Sequence, residues 1–142
     1  MNQKNIDALI PVAVNYLSKD KKNKVVENGK VVEKEYSSYL DSFGPTILQT
    51  GMMKALTVYG RKEGDAKRYV IDNLVKQVLL SGKVLDEKYK DKDNYLIDIY
   101  FEEIERKNFL ERLEFEDRIL EGIVACKLAL QLFKIVKKEE AR

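Results

Sequence analysis

The sequence contains only two prolines, Pro11 and Pro45, among its 142 residues. Because helix interiors tolerate proline less than any other residue, this scarcity leaves the chain free to form long helices. Leucine, lysine and glutamate, which favour helices, are abundant. A chain of this length, 44% hydrophobic, can bury one core. We therefore predict an all-α fold, a single-domain bundle of about five to six helices over residues 1–142.

The distribution of apolar residues argues against a membrane or secreted protein. Unbroken apolar stretches are only a few residues long, far short of a membrane span. The first residues lack the basic start and apolar block of a signal peptide. We therefore expect a cytoplasmic protein that does not contact a membrane. Because the net charge is only +2, any binding of nucleic acid must come from local clusters of lysine and arginine.

The chain lacks histidine, and Cys126 is its only cysteine. These two facts exclude Ser-His-Asp and Cys-His catalysis, histidine-bearing zinc sites and an internal disulfide. Cys126 lies among apolar residues, where a cysteine usually packs as a small core side chain. We expect neither a metal nor a cofactor.

The N-terminal part combines one helix with one turn signal. Apolar residues from Ile6 to Leu17 recur at helical spacing, and Pro11 is expected to kink or restart that helix. Further on, Asn28-Gly29 lies between two pairs of valines, which is the pattern of a two-residue β-hairpin. Since an isolated hairpin is only marginally stable, residues 24–33 are predicted to form either a short hairpin or a charged loop.

Residues 36–60 predict two helices that meet at a corner. Helical spacing from about Val32 to Phe43 is followed by Gly44, which would end the first helix. Pro45 suits the first position of a second helix, which would extend to about Tyr59. Gly51 lies inside that helix, where we expect a close crossing by another helix to offset its cost. The second helix should bury its apolar residues Ile47, Leu48, Met52, Ala55, Leu56 and Tyr59.

The remaining sequence predicts three further helices. Asp65 is a good N-cap for a helix that ends at Ser81-Gly82. Residues 86–94 are expected to form a solvated loop. Helical spacing then predicts a helix from about Tyr95 to Lys107 and a long one from about Phe109 to Lys138, either separate or continuous.

Two polar stripes are candidates for binding a phosphate backbone. The first stripe lies on the helix that begins at Pro45, within roughly 40° of one line at about 100° per residue. Lysine and arginine supply charge to a phosphate and threonine supplies hydrogen bonds, but a plain solvated helix face has the same pattern. The stripe consists of Thr46, Thr50, Lys54, Thr57 and Arg61, and the nearby cations Lys62, Lys67 and Arg68 would extend it.

The second stripe lies on the predicted last helix, which is otherwise almost entirely apolar. Lys127, Gln131, Lys134 and Lys138 would form one narrow basic line along it. This line would bind a polyanion, or it would only complement the helix dipole at the last turn. The apolar remainder would pack in the core or against a second subunit.

An enzymatic role would need a cluster of catalytic groups. The best group of carboxylates is Asp98, Glu102, Glu103 and Glu105. Paired acids can perform acid/base chemistry or hold a hard metal ion, but Arg106 and Lys107 follow directly, and we favour a solvated acidic face. A DNA-reading module would need arginine, asparagine or glutamine at the start of a recognition helix, and no predicted helix clearly offers them.

The pattern of residues 36–62 resembles that of a known family. The sequence reads Tyr36-x-x-Tyr39, then Pro45-x-Ile47-x-Gln49-x-Gly51-Met52-x-x-Ala55-Leu56, then Tyr59 and Lys62. This pattern is similar to that of the small helical subunit of Cmr-type (type III-B) CRISPR effector complexes. The amphipathic stretch from Phe115 to Lys138 also resembles the final helix of that family. In the family, leucine is usual at the position of Gly44.

This resemblance implies a non-catalytic subunit of an RNA-guided complex in antiviral defence. Its implied partners are other CRISPR effector subunits, the backbones of the guide RNA and target RNA, and further copies of itself. The RNA contacts would be made by Lys54, Arg61, Lys62 and neighbouring cations. The small subunit of Csm-type complexes and a free-standing helical interaction module remain alternatives.

Overall fold

The structure, a computed structural model, describes residues 1–20, 23–60, 66–91 and 93–137. Helices dominate these residues, and the predicted all-α bundle of five to six helices is confirmed. The six helices are α1 (Gln3–Lys19), α2 (Lys34–Thr50), α3 (Met52–Tyr59), α4 (Ala66–Ser81), α5 (Leu96–Ile104) and α6 (Phe109–Leu130). The three short strands are β1 (Val26–Glu27), β2 (Val31–Glu33) and β3 (Lys134–Val136). The predicted N-cap Asp65 lies outside the described residues.

Helix α6 is the element around which the bundle packs. It contacts α1, α2 and α4. At its midpoint Gly122 is buried, and a Cβ atom there would lie 2.6 Å from Cδ2 of Leu79 on α4. A glycine at this position therefore allows the two helices to approach closely. Cys126, one turn later, is fully buried, as the sequence predicted.

A buried carboxylate connects α1 to the middle of α6. Glu121 is only 2% exposed, and it accepts a hydrogen bond of 2.7 Å from the backbone N–H of Asn2. The side-chain amide of Asn5 donates to the same carboxylate at 3.2 Å, and Arg118 donates to it at 3.1 Å. These donors offset the cost of burying the charge and hold the start of α1 against α6.

The hairpin forms because a third strand supports it. β1 pairs antiparallel with β2, with Glu27 opposite Val31, so three residues connect the strands rather than the predicted two. Asn28 and Gly29 in this connection take positive φ angles of 55° and 69°, and the backbone N–H of Lys30 donates to the carbonyl of Glu27. β3 then adds to the other side of β2 in parallel. Val32, at the centre of this sheet, is fully buried. The strand order is β1-β2-β3.

Both prolines lie inside continuous helices, which contradicts the alternative of a restart at Pro11 and the corner predicted at Pro45. Helix α1 does not restart at Pro11, since Leu9, Ala13 and Leu17 are buried along one face and their packing holds the helix together. Helix α2 likewise runs through Pro45 to Thr50. The predicted corner at Gly44-Pro45 is therefore wrong.

The corner lies at Gly51 instead. This residue has φ 92° and ψ 159°, a region open essentially to glycine alone, and it separates α2 from α3. Gly44 does not take a positive φ, and Phe43 and Ile47 are buried on either side of it. The predicted close crossing at Gly51 is also wrong, because nothing lies within 4 Å of a Cβ built there. Leu48, predicted to be buried, is 79% exposed.

The predicted final helix is too long. Helix α6 has its own N-cap, Asn108, which exchanges hydrogen bonds with Glu111, so it is separate from α5. It ends at Leu130 rather than Lys138 because the following residues pair with β2 and bury Val136. The predicted loop at residues 86–94 contains a short 3₁₀ turn and the fully buried Tyr89.

We predict that Gly51→Ala lowers the free energy of unfolding by about 1–3 kcal/mol, because alanine is strained at this backbone conformation. Gly44→Ala is the matched control. It should change the free energy of unfolding by less than about 1 kcal/mol, because Gly44 has no positive φ and no atom beyond its chain neighbours lies within 4 Å of a Cβ built there, while Pro45 opposes the usual gain from alanine in a helix. Urea unfolding of the two variants measures both effects, and equal effects of the two substitutions would contradict the assignment of the corner to Gly51.

Candidate nucleic-acid interface

The corner at Gly51 divides the first stripe between two helices. Thr46 and Thr50 lie at the end of α2, whereas Lys54 and Thr57 lie on α3. The prediction of one line along one helix is therefore wrong. The hydroxyls of Thr46, Thr50 and Thr57 each donate to the backbone carbonyl four residues earlier, at 2.7 to 2.8 Å. Since the hydroxyl protons are used inside the helices, the threonines are poor donors for a phosphate.

Lys54 is the residue of this stripe whose position best suits a polyanion. It is exposed on α3, and within the described residues no ion pair or hydrogen bond holds its ammonium. Met53 and Val58, on the same short helix, are 41% and 39% exposed. Arg61 and Lys62, which follow α3, lie outside the described residues.

Lys67, predicted as an extension of the stripe, is bound to two carboxylates of the protein. Its ammonium lies 2.7 Å from Oε2 of Glu35 and 3.7 Å from Oε2 of Glu33. It also lies 5.5 Å from the centroid of the Tyr36 ring. The hydrogen bond with Glu35 raises the pKa of Lys67. The charge of Lys67 is therefore largely balanced within the protein.

Arg68 packs against aromatic rings between helices. Its guanidinium lies 5.2 Å from the ring centroid of Tyr39 and 6.0 Å from that of Tyr59. The Tyr59 hydroxyl donates to the carbonyl of Tyr39 at 2.7 Å, and its ring stacks on Phe43 at 3.9 Å. Burial raises the pKa of Tyr59 to about 12. Arg68 thus contributes to the contact of α4 with α2 and α3.

The second stripe is also divided. Lys127 lies in the last turn of α6, 3.9 Å from Oδ1 of Asp41, whereas Lys134 is exposed on β3. Lys138 lies outside the described residues. The two described lysines therefore belong to different elements, and the prediction of one basic line along one helix is wrong.

The acidic group on α5 has structural partners. The carboxylate of Asp98 accepts from the backbone N–H of Tyr95 at 3.0 Å and caps the helix. Two further acids of this group form ion pairs: Glu102 with Lys88 at 3.5 Å, and Glu103 with Arg106 at 3.3 Å and with Lys107 at 3.8 Å. Among the residues that the structure describes, no three carboxylate or thiol groups converge as metal ligands.

A second carboxylate at the start of α5 was not identified from the sequence. Asp72 on α4 is 1% exposed and accepts a hydrogen bond of 3.2 Å from the N–H of Leu96. Burial raises its pKa to about 7, while the Leu96 N–H and the nearby Lys76 oppose the shift. Lys76 donates to the carbonyl of Asn94 at 2.5 Å, and burial lowers its pKa. The sequence carries one signal for this buried acid: Asp72 is an acid among the apolar residues that form the inner face of α4.

Comparison with known protein families gives a match over most of the chain. The family described as CRISPR-associated protein (Cas_Cmr5) matches residues 16–137. No curated protein and no solved structure matches significantly. Among the described residues, no helix is both long enough and apolar enough to span a membrane.

We predict that the stability of the wild type, relative to Asp72→Asn, falls as pH rises from about 4 to 7. In the folded state Asp72 keeps its proton up to about pH 7, because its pKa is raised to about 7. The unfolded chain loses this proton near the ordinary pKa of 3.8, so between these two values the folded state binds more protons than the unfolded state. The slope should approach about 1.4 kcal/mol per pH unit and vanish above the window. Urea unfolding of both proteins across this range measures the difference. A difference that does not change with pH would contradict the raised pKa.

Proposed function

Because the chain belongs to the Cas_Cmr5 family of CRISPR-associated proteins, we propose that it is a non-catalytic small subunit that helps to hold target RNA along the guide duplex. It is a CRISPR type III-B effector subunit, and other CRISPR effector subunits are its partners. We propose that it assembles both with backbone subunits and with like subunits, in cytoplasmic antiviral defence.

The position of Lys54 is the observation that carries the RNA contact. Its ammonium is exposed at the α2–α3 corner and is not balanced by any described carboxylate. Arg61 and Lys62 follow α3 in the sequence after Gly60, and they join Lys54 in this contact. Phosphate backbones are bound by such cations without regard to sequence. Lys67, Arg68 and Lys127 would instead serve mainly within the fold.

The state of the reactive side chains supports a non-catalytic role. Cys126 is fully buried, and burial raises the pKa of its thiol, so the thiolate nucleophile is disfavoured. Asp98 caps α5, and its neighbours Glu102 and Glu103 form ion pairs. Histidine is absent from the whole chain. Cleavage of RNA would then belong to other subunits.

We predict that Lys54→Glu, combined with Arg61→Glu and Lys62→Glu, weakens target-RNA retention by the assembled complex at least about tenfold at low salt. The salt dependence of binding should also become shallower by about one unit for each lost phosphate contact. Filter binding with labelled target RNA, over a series of salt concentrations, measures both quantities.

The matched control replaces three exposed lysines elsewhere, Lys4, Lys19 and Lys90, with glutamate. It changes the net charge equally, so it should leave RNA retention close to the wild-type value. Equal retention by the wild type and the Lys54 triple variant, in complexes of equal composition, would refute the RNA contact.

A further inference from the structure

Two buried polar side chains of α4 hold the start of α5. These residues, Asp72 and Lys76, are 1% and 4% exposed, and we call them the anchor pair. The Asp72 carboxylate accepts a hydrogen bond of 3.2 Å from the backbone N–H of Leu96, the first residue of α5. The Lys76 ammonium donates at 2.5 Å to the carbonyl of Asn94. The anchor pair thus fixes the chain on both sides of the point where it enters α5.

Burying the anchor pair costs free energy that apolar side chains would not cost. A buried charge loses its hydration, and burial accordingly raises the pKa of Asp72 to about 7 and lowers the pKa of Lys76. Among the described residues, Oδ1 of Asp72 has no hydrogen-bond partner. The rest of the inner face of α4 is apolar and packs without such groups. Two polar side chains at this place therefore serve to fix a geometry rather than to fill space.

The start of α5 lies in close contact with the end of α3. A Cβ atom built on Gly60, which follows α3, would lie 3.3 Å from Cγ2 of Ile97 and 3.3 Å from Cβ of Tyr95. The ring of Tyr95 meets the ring of Tyr69 on α4 edge to face, with the centroids 5.1 Å apart. Because the anchor pair holds the residues on either side of Tyr95, it also holds the surface against which Gly60 lies.

Helix α3 depends on its neighbours for its orientation. It has only eight residues, about 12 Å, and a helix this short is not stable alone. It begins after Gly51, where no described atom lies within 4 Å of a built Cβ atom, so no side chain confines the backbone at that point. Its other end meets α5 at Gly60. Lys54 is exposed between these two ends, so the direction of its ammonium follows the orientation of α3.

We propose that Asp72 and Lys76 are positioning residues for the RNA contact. They hold the start of α5 against Gly60, and this contact sets the orientation of α3 and therefore of Lys54. The inference rests on the proposed function, in which Lys54 contacts the phosphate backbone. It adds two buried residues, which touch no RNA themselves, to the groups that determine how firmly the RNA is retained.

The first test acts on the contact between α3 and α5. Gly60 has φ −90° and ψ 7°, which are open to alanine, so Gly60→Ala adds a methyl group at this contact without requiring a left-handed backbone. It should weaken target-RNA retention by the assembled complex about threefold to tenfold, measured by filter binding with labelled RNA. In the Lys54 triple variant the same substitution should have no further effect, because the cations that it displaces are already gone. An equal loss in both backgrounds would overturn the inference.

A second substitution shows on which side the added methyl group acts. A Cβ atom at Gly60 would also lie 3.0 Å from the carbonyl oxygen of Leu56, inside α3. Ile97→Ala removes the Cγ2 atom on the α5 side and leaves that carbonyl in place. Combined with Gly60→Ala it should recover part of the lost retention, and a complete lack of recovery would contradict a contact with α5.

The next test acts on the anchor pair at constant net charge. Asp72→Val combined with Lys76→Met replaces both members by apolar side chains, and the hydrogen bonds to Leu96 and Asn94 are lost. Retention should weaken about threefold to tenfold. Replacing a buried pair in this way often leaves stability unchanged or raises it, so the loss of retention should not follow a loss of stability. Asp72→Asn alone restores Lys76 and an acceptor oxygen, and it should recover most of the retention.

The matched control is a loss of packing in another part of the core. Leu17 is buried on α1, which packs against α6 and α4, and Leu17→Ala opens a cavity there that lowers stability. At a temperature where the variant is folded, its complex should retain RNA like the wild type. Hydrogen exchange of the α3 amides, followed by mass spectrometry, should rise more in the anchor-pair variant than in Leu17→Ala.

The possible outcomes separate this inference from the proposed function. Anchor-pair and Gly60 variants that fold, join the complex and retain RNA like the wild type would overturn the inference, and so would an equal loss in Leu17→Ala. If the Lys54 triple variant loses RNA in the same experiment, the proposed RNA contact stands without its positioning residues. If the triple variant retains RNA like the wild type, the proposed contact fails and the inference fails with it.

Discussion

The close packing of α6 against α1 and α4 is the constraint on which the rest of the structure depends. Gly122 allows Leu79 to lie against the α6 backbone, and the buried Glu121 holds the start of α1. One central helix therefore has its middle buried by the bundle. Its two ends extend beyond that packing, and both ends carry exposed leucines. The core thus decides which surfaces remain for partners.

The position of the corner between α2 and α3 depends on a competition between local preference and packing. Gly44-Pro45 has the stronger local signal for a helix boundary, yet Phe43 and Ile47 are both buried, and continuing the helix keeps both in the core. Gly51 has only a weak signal in the sequence, but its backbone angles are available to almost no other residue. The corner moves seven residues along the chain, from Gly44 to Gly51, and the predicted stripe of hydroxyls and cations is divided with it.

Periodicity of apolar residues was sufficient to predict the helical class and the helix that ends at Ser81, because burial of one face is a local pattern repeated many times. It could not predict that residues 134–136 leave the helix, since that strand depends on β2, about a hundred residues earlier in the chain. The roles of the cations could not be predicted either. The partners of Lys67 and Lys127 are Glu35 and Asp41, which are distant in sequence and become neighbours only through the fold. A basic residue in a sequence therefore predicts a binding site only when its carboxylate partners are known.

We propose that this folded surface serves a larger RNA-guided assembly rather than an independent reaction. The most direct measurement is affinity purification of a tagged chain from its native cell, followed by mass spectrometry of the proteins and sequencing of the small RNAs that accompany it. We expect recovery of the other CRISPR effector subunits together with a guide RNA. Recovery of the chain alone, or with partners that include no CRISPR protein and no guide RNA, would contradict it.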